Sequence, residues 1–276
     1  MSHALMIYGS TGGLGKSVCV LNTLSDEGIE PTIINSHVTP LALYGILYQY
    51  RQDSILFFDD CDSMYSSMAH LGLLRSALWG SPRVVTYNST QLPSDLPSRF
   101  EFSSRCIFAA NVLPMTNDAF KAVLSRCDIF ELSATNDEVI EMMREIASKG
   151  FRHLAVEDCQ SVIDFIADNA DDRQLSLRLL GPSLKKFQYA RYENLDWRPL
   201  VKSQLKTLGR KTTQNKRLDA HAGDRRELLA AIEEHPNSVQ CQQEFWQKRT
   251  KKSRASFFRC LSRYRDEIQF PYESSD

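Results

Sequence analysis

The first half of the chain alternates short apolar runs with stretches in which apolar residues recur at helical spacing. This alternation is typical of βαβ units, which build a parallel sheet covered by helices. Strands are predicted at residues 4–8, 31–35, 55–59, 105–110 and 128–132. Helices are predicted at residues 16–25, 40–51, 68–79 and 118–124. Residues 83–88 and 99–102 form an additional predicted hairpin, whose polar loop at 89–98 contains prolines. The pattern predicts an α/β fold with one insertion.

After residue 132 the strand pattern stops and helical spacing takes over. Helices are predicted at residues 136–148, 156–167 and 175–192, and again at 225–234, 240–248 and 253–264. Between these two groups, residues 207–223 are polar and basic without an apolar period, which is typical of a linker. The predicted organisation is a core at 1–132, a helical segment at 133–206, the linker at 207–223 and a small basic helical module at 224–276.

The composition, with 276 residues of which 42% are hydrophobic and 24% charged, is that of an ordinary globular protein. No run approaches the ~18 apolar residues that a bilayer crossing needs, and the start of the chain lacks the basic residues of a secretory signal. No membrane partner is therefore expected. The seven cysteines include no CxxC pair, which favours reduced thiols in the cytoplasm over a zinc site or a disulfide framework.

The net charge of −1 hides an asymmetry between two parts of the chain. Residues 201–265 contain 16 Lys and Arg against 6 Asp and Glu, which gives this stretch about +10 and leaves about −11 for the rest. Such a split is typical of a nucleic-acid-binding segment attached to an acidic body. A solvated basic face is the alternative interpretation.

The glycine-rich string GSTGGLGKS at residues 9–17 follows a predicted strand and opens a predicted helix. In that context, converging backbone N–H groups solvate phosphate oxygens, Lys16 adds a positive charge, and Ser17 offers its hydroxyl to Mg²⁺. The candidate residues for binding ATP are Gly12, Gly13, Leu14, Gly15, Lys16 and Ser17. Ser10 replaces the first glycine of the GxxxxGK[ST] pattern, so the mouth of the loop departs from that pattern.

The predicted strand at 55–59 ends in an acidic pair, Asp59 and Asp60. A magnesium nucleotide site needs one carboxylate beside the metal and a second one to orient the attacking water. We assign Asp59 to the Mg²⁺ side and Asp60 to the role of catalytic base. Taken alone, the run is only a strand with a solvated end. The phosphate loop about forty residues upstream favours the catalytic interpretation.

The order of these parts resembles the AAA+ superfamily of ring-forming ATPases over residues 4–189. The resemblance implies that Asn111, which follows the fourth core strand, is the sensor-1 residue that helps to position the hydrolytic water. It also implies that Arg126, in a Ser-Arg-Cys signature similar to that of clamp loaders, reaches the γ-phosphate of a neighbouring subunit. Arg178 is nominated as a sensor-2 arginine in a helical lid. A surface ion pair for Arg126 and a structural role for Arg178 are the alternatives.

One departure from the family concerns the catalytic base, because most members have glutamate where this chain has Asp60. Aspartate is shorter by one methylene. A misplacement of ~1 Å can cost on the order of 100-fold in rate, so slow turnover is consistent with this residue.

The basic module over residues 240–264 reads as helix, turn and helix, and it resembles a helix-turn-helix DNA-binding unit. Its second helix is the candidate recognition helix. Near the start of that helix, Arg254 and Ser256 are candidates to reach base edges, whereas Arg259 and Arg263 are candidates to meet phosphates. A protein-docking unit is the alternative.

The sequence thus predicts an α/β fold that consists of a P-loop NTPase parallel sheet, a helical AAA+ lid and a small C-terminal helical module. The expected function is that of an ATP-hydrolysing, homo-oligomeric ring that acts on DNA as a motor or loader in replication or mobile-element systems, with replication proteins as further partners. Two alternatives stay open: a remodelling chaperone that acts on a protein, and a nucleotide-sensing DNA-binding regulator that hydrolyses ATP weakly.

Overall fold

The computed structural model describes residues 3–9, 12–35 and 37–265, and these residues form two compact units. The first unit runs to Ser133 and includes the short segment Ser176–Arg178. The second comprises Ala134–Leu175 and the described residues from Leu179 onward. All the named strands belong to the first unit, and the second is built from helices.

The first unit is built on a parallel sheet. Its described strands are β1 (Ala4–Tyr8), β2 (Thr32–Ile34), β3 (Ile55–Asp59), β4 (Val84–Thr86), β5 (Arg99–Glu101), β6 (Arg105–Ala110) and β7 (Asp128–Glu131). Five of them form a parallel sheet in the order β2-β3-β6-β1-β7, while β4 and β5 form a separate antiparallel pair. The predicted α/β class, the five core strands and the inserted hairpin are confirmed.

Four described α-helices flank this sheet, and short polar residues cap the start of two of them. They are α1 (Lys16–Asp26), α2 (Pro40–Gln49), α3 (Met68–Leu78) and α4 (Asp118–Leu124), and a short 3-10 helix lies at Asp62–Tyr65. The hydroxyl of Thr39 accepts a hydrogen bond from the N–H of Ala42 just before α2, whose first residue is proline. The side chain of Asn117 does the same for the first turn of α4. Both are the N-cap residues that satisfy otherwise unpaired N–H groups.

The core of the first unit is rich in aromatic side chains. Phe58 and Phe108, from neighbouring central strands, have no exposed surface, and their rings stack with centroids 5.1 Å apart. The inserted hairpin is attached to α2 through Tyr44, whose ring stacks on that of Tyr87 at 5.2 Å and whose hydroxyl donates to the carbonyl of Pro97. The insertion is therefore packed onto the core of the first unit.

The register of the sheet brings the carboxyl ends of its central strands to one edge. Tyr8 of β1 pairs with Ala110 of β6 and with Glu131 of β7, and Asp59 of β3 pairs with Ala109 of β6. Ligands of open parallel sheets bind outside this carboxyl edge. The residues that follow β1, β3 and β6 therefore meet where such a ligand would lie.

The second unit consists of seven described α-helices. They are α5 (Asn136–Ile146), α6 (Val156–Asp168), α7 (Leu180–Tyr192), α8 (Arg198–Leu205), α9 (Thr213–Glu234), α10 (Val239–Thr250) and α11 (Arg254–Arg263). The α8 helix was not predicted. It follows Trp197, which packs edge-on against Phe165 and Phe187 at 5.1 and 5.2 Å. The helix predicted from residue 175 begins as an α-helix at Leu180, after a 3-10 helix at Leu177–Leu179, and the N–H of Leu175 is held by the side chain of Asn136.

The predicted linker at 207–223 is wrong over most of its length, because α9 begins at Thr213 and continues to Glu234. The hydroxyl of Thr212 caps this helix by accepting from the N–H of Asn215. Polar contacts hold its first turns: Asn215 donates to Gln174 at 2.8 Å, and Lys211 pairs with Asp219 at 2.5 Å. The first turns of this helix are held by hydrogen bonds and ion pairs, so their sequence has no apolar period that would indicate a helix. None of the helices that the structure describes combines the length and the apolar character that a membrane crossing demands.

Candidate nucleotide-binding site

The loop between β1 and α1 has a backbone that only glycine adopts easily. Gly13 and Gly15 have φ angles of +81° and +87°, and Gly15 is the N-cap residue of α1. Positive φ angles are accessible to glycine without steric cost. The side chain of Leu14, between them, is buried. The loop thus ends at the N-terminus of α1, where backbone N–H groups can converge on an anion. Ser10, the predicted departure from the motif, lies outside the described residues.

Gly9 is required for a different reason, which the sequence pattern did not reveal. A Cβ atom at this position would lie 2.1 Å from the carbonyl oxygen of Leu132, immediately after β7. The N–H of Gly9 also donates to the carbonyl of Ala110, which is the last residue of β6. Glycine is needed at position 9 because two backbones approach each other closely there. At Gly13 and Gly15 it is needed because the backbone has a positive φ angle.

Lys16, the first residue of α1, is buried with 7% of its surface exposed. Its Nζ donates to Oδ1 of Asn111 at 2.9 Å. Burial lowers the pKa of this ammonium group and the charge of Arg178 acts in the same direction, while Asp60 is the strongest influence that opposes them. This ammonium group has no direct ion pair among the described residues. Its positive charge is therefore available to an anionic ligand.

Two further hydrogen bonds connect the strand ends to the loop. Ser17 Oγ donates to Oδ1 of Asp59 at 2.7 Å, and Nδ2 of Asn111 donates to Oδ1 of Asp60 at 3.1 Å. Five predicted site residues from three segments are therefore joined directly: Lys16, Ser17, Asp59, Asp60 and Asn111. The alignment of the strand ends brings these residues together although the sequence separates them widely.

The backbone of Asp60 adopts a conformation that suits a short acidic side chain. Its φ angle is +53°, and its N–H donates to the carbonyl of Ala109. Among residues other than glycine, aspartate and asparagine occupy this left-handed region most readily. The local conformation at the end of β3 therefore favours the shorter acid.

Ser17 and Asp59 form a donor set that fits Mg²⁺. A hydroxyl and a carboxylate are hard oxygen ligands, and they already lie 2.7 Å apart. Proteins commonly hold Mg²⁺ through one or two such groups, with water and substrate phosphates completing the octahedron. Ser17 and Asp59 are thus of the residue types that would hold Mg²⁺.

Arg178 lies directly over the phosphate loop. The N–H of Leu177 donates to the carbonyl of Gly13 at 3.0 Å. The Cγ atom of Arg178 would lie 2.8 Å from a Cβ placed on Gly13, so the aliphatic part of this arginine occupies the space that the glycine leaves. The predicted site residue Arg178 is therefore in the immediate surroundings of Lys16 and the loop.

Arg126 is not near these residues. It lies in the turn that precedes β7, at the amino edge of the sheet, whereas the phosphate loop follows the carboxyl end of β1. One guanidinium nitrogen donates to the carbonyl of Ala122, and the guanidinium carbon lies 5.3 Å from the centre of the Trp79 ring. Arg126 thus stands apart from the nucleotide site of its own chain.

A third acidic residue, Asp62, belongs to the electrostatic surroundings of Lys16 and Asp60. Asp62 follows the acidic pair by two residues, at the start of the short 3-10 helix. Burial raises the pKa of its carboxyl group, and the charge of Asp60 raises it further, while Lys16 opposes both effects. The spacing of three acids over four residues was the signal in the sequence.

The basic module has its own small core. Trp246 and Phe257 are fully buried, with ring centroids 5.8 Å apart, and they pack with Leu228, Ala231 and Cys260. Between α10 and α11 the chain turns at Lys251, which has a φ angle of +56°. The order of helix, turn and helix agrees with the sequence pattern of the module.

The three arginines proposed to contact nucleic acid are exposed on α11. Arg254 lies over the ring of Phe258 at 5.6 Å, and Arg259 donates to the hydroxyl of Ser256 at 3.2 Å. Neither has a carboxylate partner among the described residues. Arg263 donates to Nδ1 of His221 at 2.6 Å. Ser256 is half-buried and engaged at the start of the helix, since its N–H donates to the capping hydroxyl there.

No protein-family model matches the chain. The chain is 28% identical over 159 residues to an uncharacterized 36.7 kDa protein in the nrdC-mobD intergenic region of Enterobacteria phage T4. This match covers 51% of the chain and 49% of the phage protein, so the chain spans about half the length of the curated relative.

Two groups of solved structures resemble the chain at low sequence identity. One is the RuvB Holliday junction branch migration motor of Thermotoga maritima, with a TM-score of 0.49, 14% identity, and coverage of 94% of this chain and 79% of RuvB. Another is NtrX from Brucella abortus in complex with ADP, with a TM-score of 0.47, 16% identity, and coverage of 95% of this chain and 63% of NtrX. The chain itself has an α/β P-loop fold, defined by its parallel sheet and by the glycine loop that joins β1 to α1.

Proposed function

We propose that the chain is an AAA+-type ATPase that binds ATP with Mg²⁺ and hydrolyses it. The observation that carries this proposal is the hydrogen-bonded set in which Lys16 contacts Asn111, Asn111 contacts Asp60, and Ser17 contacts Asp59. These residue types at the carboxyl edge of a parallel sheet provide a phosphate-binding cation, a magnesium-side pair and a water-orienting pair. The two glycines with positive φ supply the phosphate-binding backbone.

In this proposal each residue acts through a group that is already in place. Lys16 has three N–H donors and uses one of them on Asn111, so two are left for phosphate oxygens. Asp60 accepts the proton of the attacking water, and Asn111 orients that water beside it. Arg178, packed over the loop, adds positive charge at the phosphates. Mg²⁺ held near Ser17 and Asp59 would neutralise charge on the phosphate oxygens.

Arg126 supports an oligomeric arrangement. It lies at the amino edge of the sheet, and the five residues of β1 separate this edge from the phosphate loop by about 16 Å. An arginine in this position is suited to serve the nucleotide of a neighbouring copy. We therefore propose a homo-oligomer, of the ring type that AAA+ proteins form, in which Arg126 acts in trans.

The second ligand that we propose is DNA. Together with ATP hydrolysis, DNA binding would make the chain a DNA-associated motor or loader. Support comes from the excess positive charge of residues 201–265 and from the exposed Arg254 and Arg259 on α11, which have no carboxylate partner among the described residues. Lysine and arginine clusters of this kind bind phosphate backbones and release counterions. A weakly hydrolysing, nucleotide-sensing DNA-binding regulator is the second candidate, because the short side chain of Asp60 favours slow turnover.

The test is a steady-state ATPase assay without DNA, with single-stranded DNA and with double-stranded DNA. We expect magnesium-dependent hydrolysis that DNA stimulates, and none in Lys16→Ala. Binding of ATP without turnover, together with binding of DNA, would support the regulator instead. Turnover that DNA leaves unchanged would favour a chaperone that acts on a protein. Absence of ATP binding in calorimetry would contradict the phosphate-loop assignment itself.

A further inference from the structure

Trp79 lies at the end of α3, and it is one of the most exposed large apolar side chains of the described residues, with 68% of its surface accessible. Tryptophan is strongly buried on average and is enriched at protein interfaces. The ring borders a cleft of about 650 Å³ at the amino edge of the sheet, which His3, Ser81, Arg126 and Asp128 also line. An exposed tryptophan beside a cleft is a feature that the proposed ATPase site does not use.

The ring of Trp79 and the guanidinium group of Arg126 lie against each other. Their separation is 5.3 Å, which is within the range of a cation–π contact, and tryptophan is the strongest aromatic partner in such contacts. The guanidinium also donates to the carbonyl of Ala122. A planar guanidinium held by a ring and a carbonyl loses rotational freedom, so its direction is set before any ligand arrives.

We propose that Trp79 is the positioning residue of Arg126: it holds the guanidinium in the direction needed to enter the nucleotide site of a second copy of this chain, and that copy then covers its exposed ring. This inference rests on the proposed function. The occupant follows from charge. The cation lies at the amino edge of one sheet, whereas Asp59 and Asp60, with the nucleotide that we propose to bind beside them, lie at the carboxyl edge of another. A head-to-tail contact of this kind joins two different surfaces and can close into a ring.

The first test separates positioning from binding. Trp79→Ala should lower kcat for ATP by a factor of between about 5 and about 100. The smaller factor corresponds to loss of the cation–π contact alone, and the larger one to a misplaced guanidinium. KM for ATP should stay unchanged, because the phosphate loop is intact. Trp79→Phe keeps an aromatic face and should recover most of the activity. Tyr192→Ala, which removes another highly exposed aromatic side chain, is the matched control and should leave kcat unchanged.

A mixing experiment tests whether the effect acts through the neighbouring copy. Trp79→Ala has an intact nucleotide site and an impaired arginine, while Lys16→Ala has the reverse. An equimolar mixture should therefore be more active than either variant alone. Lys16→Ala mixed with Arg126→Ala is the positive control and should also regain activity. Trp79→Ala mixed with Arg126→Ala should not, because both lack a competent arginine.

Assembly should also change the environment of the ring. In a Trp197→Phe variant, the two remaining tryptophans are the exposed Trp79 and the fully buried Trp246. The emission spectrum of this variant should shift to shorter wavelength as protein concentration rises in the presence of ATP.

Normal kcat in Trp79→Ala, or failure of its mixture with Lys16→Ala while the positive control regains activity, would overturn the role of Trp79. In either case the ATPase assignment would stand. A wild-type protein that binds no ATP would overturn both.

Discussion

Lys16 Nζ lies 2.9 Å from Oδ1 of Asn111, although 95 residues separate them in the sequence. The same amide group donates to Asp60 through its nitrogen. A single asparagine thus connects the proposed phosphate-binding cation with the proposed water-orienting carboxylate. Each link is a hydrogen bond between a charged and a polar group in a partly buried setting. Displacement of one partner therefore changes the position or the hydrogen bonding of the other.

The first prediction concerns this carboxylate. Asp60→Asn keeps the size of the side chain and tolerates the φ angle of +53°, but it removes the proton acceptor. We expect kcat for ATP to fall by about 100-fold or more while ATP affinity stays the same, as measured by steady-state kinetics and calorimetry. Asp60→Glu retains a carboxylate and should keep measurable turnover. Normal hydrolysis by Asp60→Asn would move the base to Asp62.

The second prediction compares two glycines of the phosphate loop by thermal unfolding. Gly9→Ala would place a methyl group 2.1 Å from the carbonyl oxygen of Leu132, and backbone must shift to make room. We expect the free energy of unfolding to fall by about 1–3 kcal/mol or more. Gly12→Ala is the matched control. Its methyl group would meet only Oδ1 of Asn111 at 3.7 Å, an ordinary contact, and should change stability by less than about 0.5 kcal/mol. Equal stability of the two variants would contradict the close approach at Gly9.

The third prediction concerns pH and the basic module. Burial lowers the pKa of His221, and the charges of Arg263, Lys252 and Arg217 act in the same direction, while Asp224 opposes them. The unfolded chain then binds more protons at this histidine than the folded chain. Stability should therefore fall as pH decreases through the range below the ordinary pKa of histidine.

Denaturant unfolding at neutral and at mildly acidic pH, followed by tryptophan fluorescence, measures this effect. His221→Asn keeps a side-chain acceptor for Arg263 and does not titrate in this range, so the pH dependence should become shallower. An unchanged pH profile in His221→Asn would show that other groups are responsible.

The fourth prediction addresses DNA. If α11 follows a phosphate backbone, Arg259→Ala should weaken binding to all sequences, and the slope of log affinity against log salt should flatten by about one unit. Arg249→Ala is the matched control, since this arginine is already paired with Glu227, and it should have a smaller effect. Fluorescence anisotropy titrations at several salt concentrations give both slopes. Absence of salt-dependent DNA binding in the wild type would identify the module as a protein-docking unit.

Much of the first unit could be predicted from the sequence because its signals are local. The apolar runs fixed the strands, and the glycine string marked the turn between β1 and α1. The strand order was not predictable in the same way, since it depends on which buried surfaces meet. The direct contacts of Asn111 with Lys16 and Asp60 follow from that order. The family resemblance implied only that Asn111 helps to position the hydrolytic water, and no spacing in the chain indicates these contacts.

The predictions that were wrong or incomplete concern polar contacts between distant residues. The first turns of α9 depend on pairs such as Asn215 with Gln174 and Lys211 with Asp219, which have no periodic signature. The contact of Trp79 with Arg126 joins the end of α3 to the turn before β7. In both cases the sequence contains the residues, but it does not indicate that they meet.

The α9 helix gives the second unit a mechanical property. Its 22 residues make a rod of about 33 Å, fastened at one end to the segment that contains Asp172 and Gln174, and at the other to the core of the basic module through Leu228 and Ala231. A rigid rod converts a small rotation at its base into a larger displacement at its tip. Turning the base by about 10° would move the far end by about 6 Å, which is more than one turn of a helix. A rotation at the first turns of α9 would therefore move the basic helices farther than it moves the base itself.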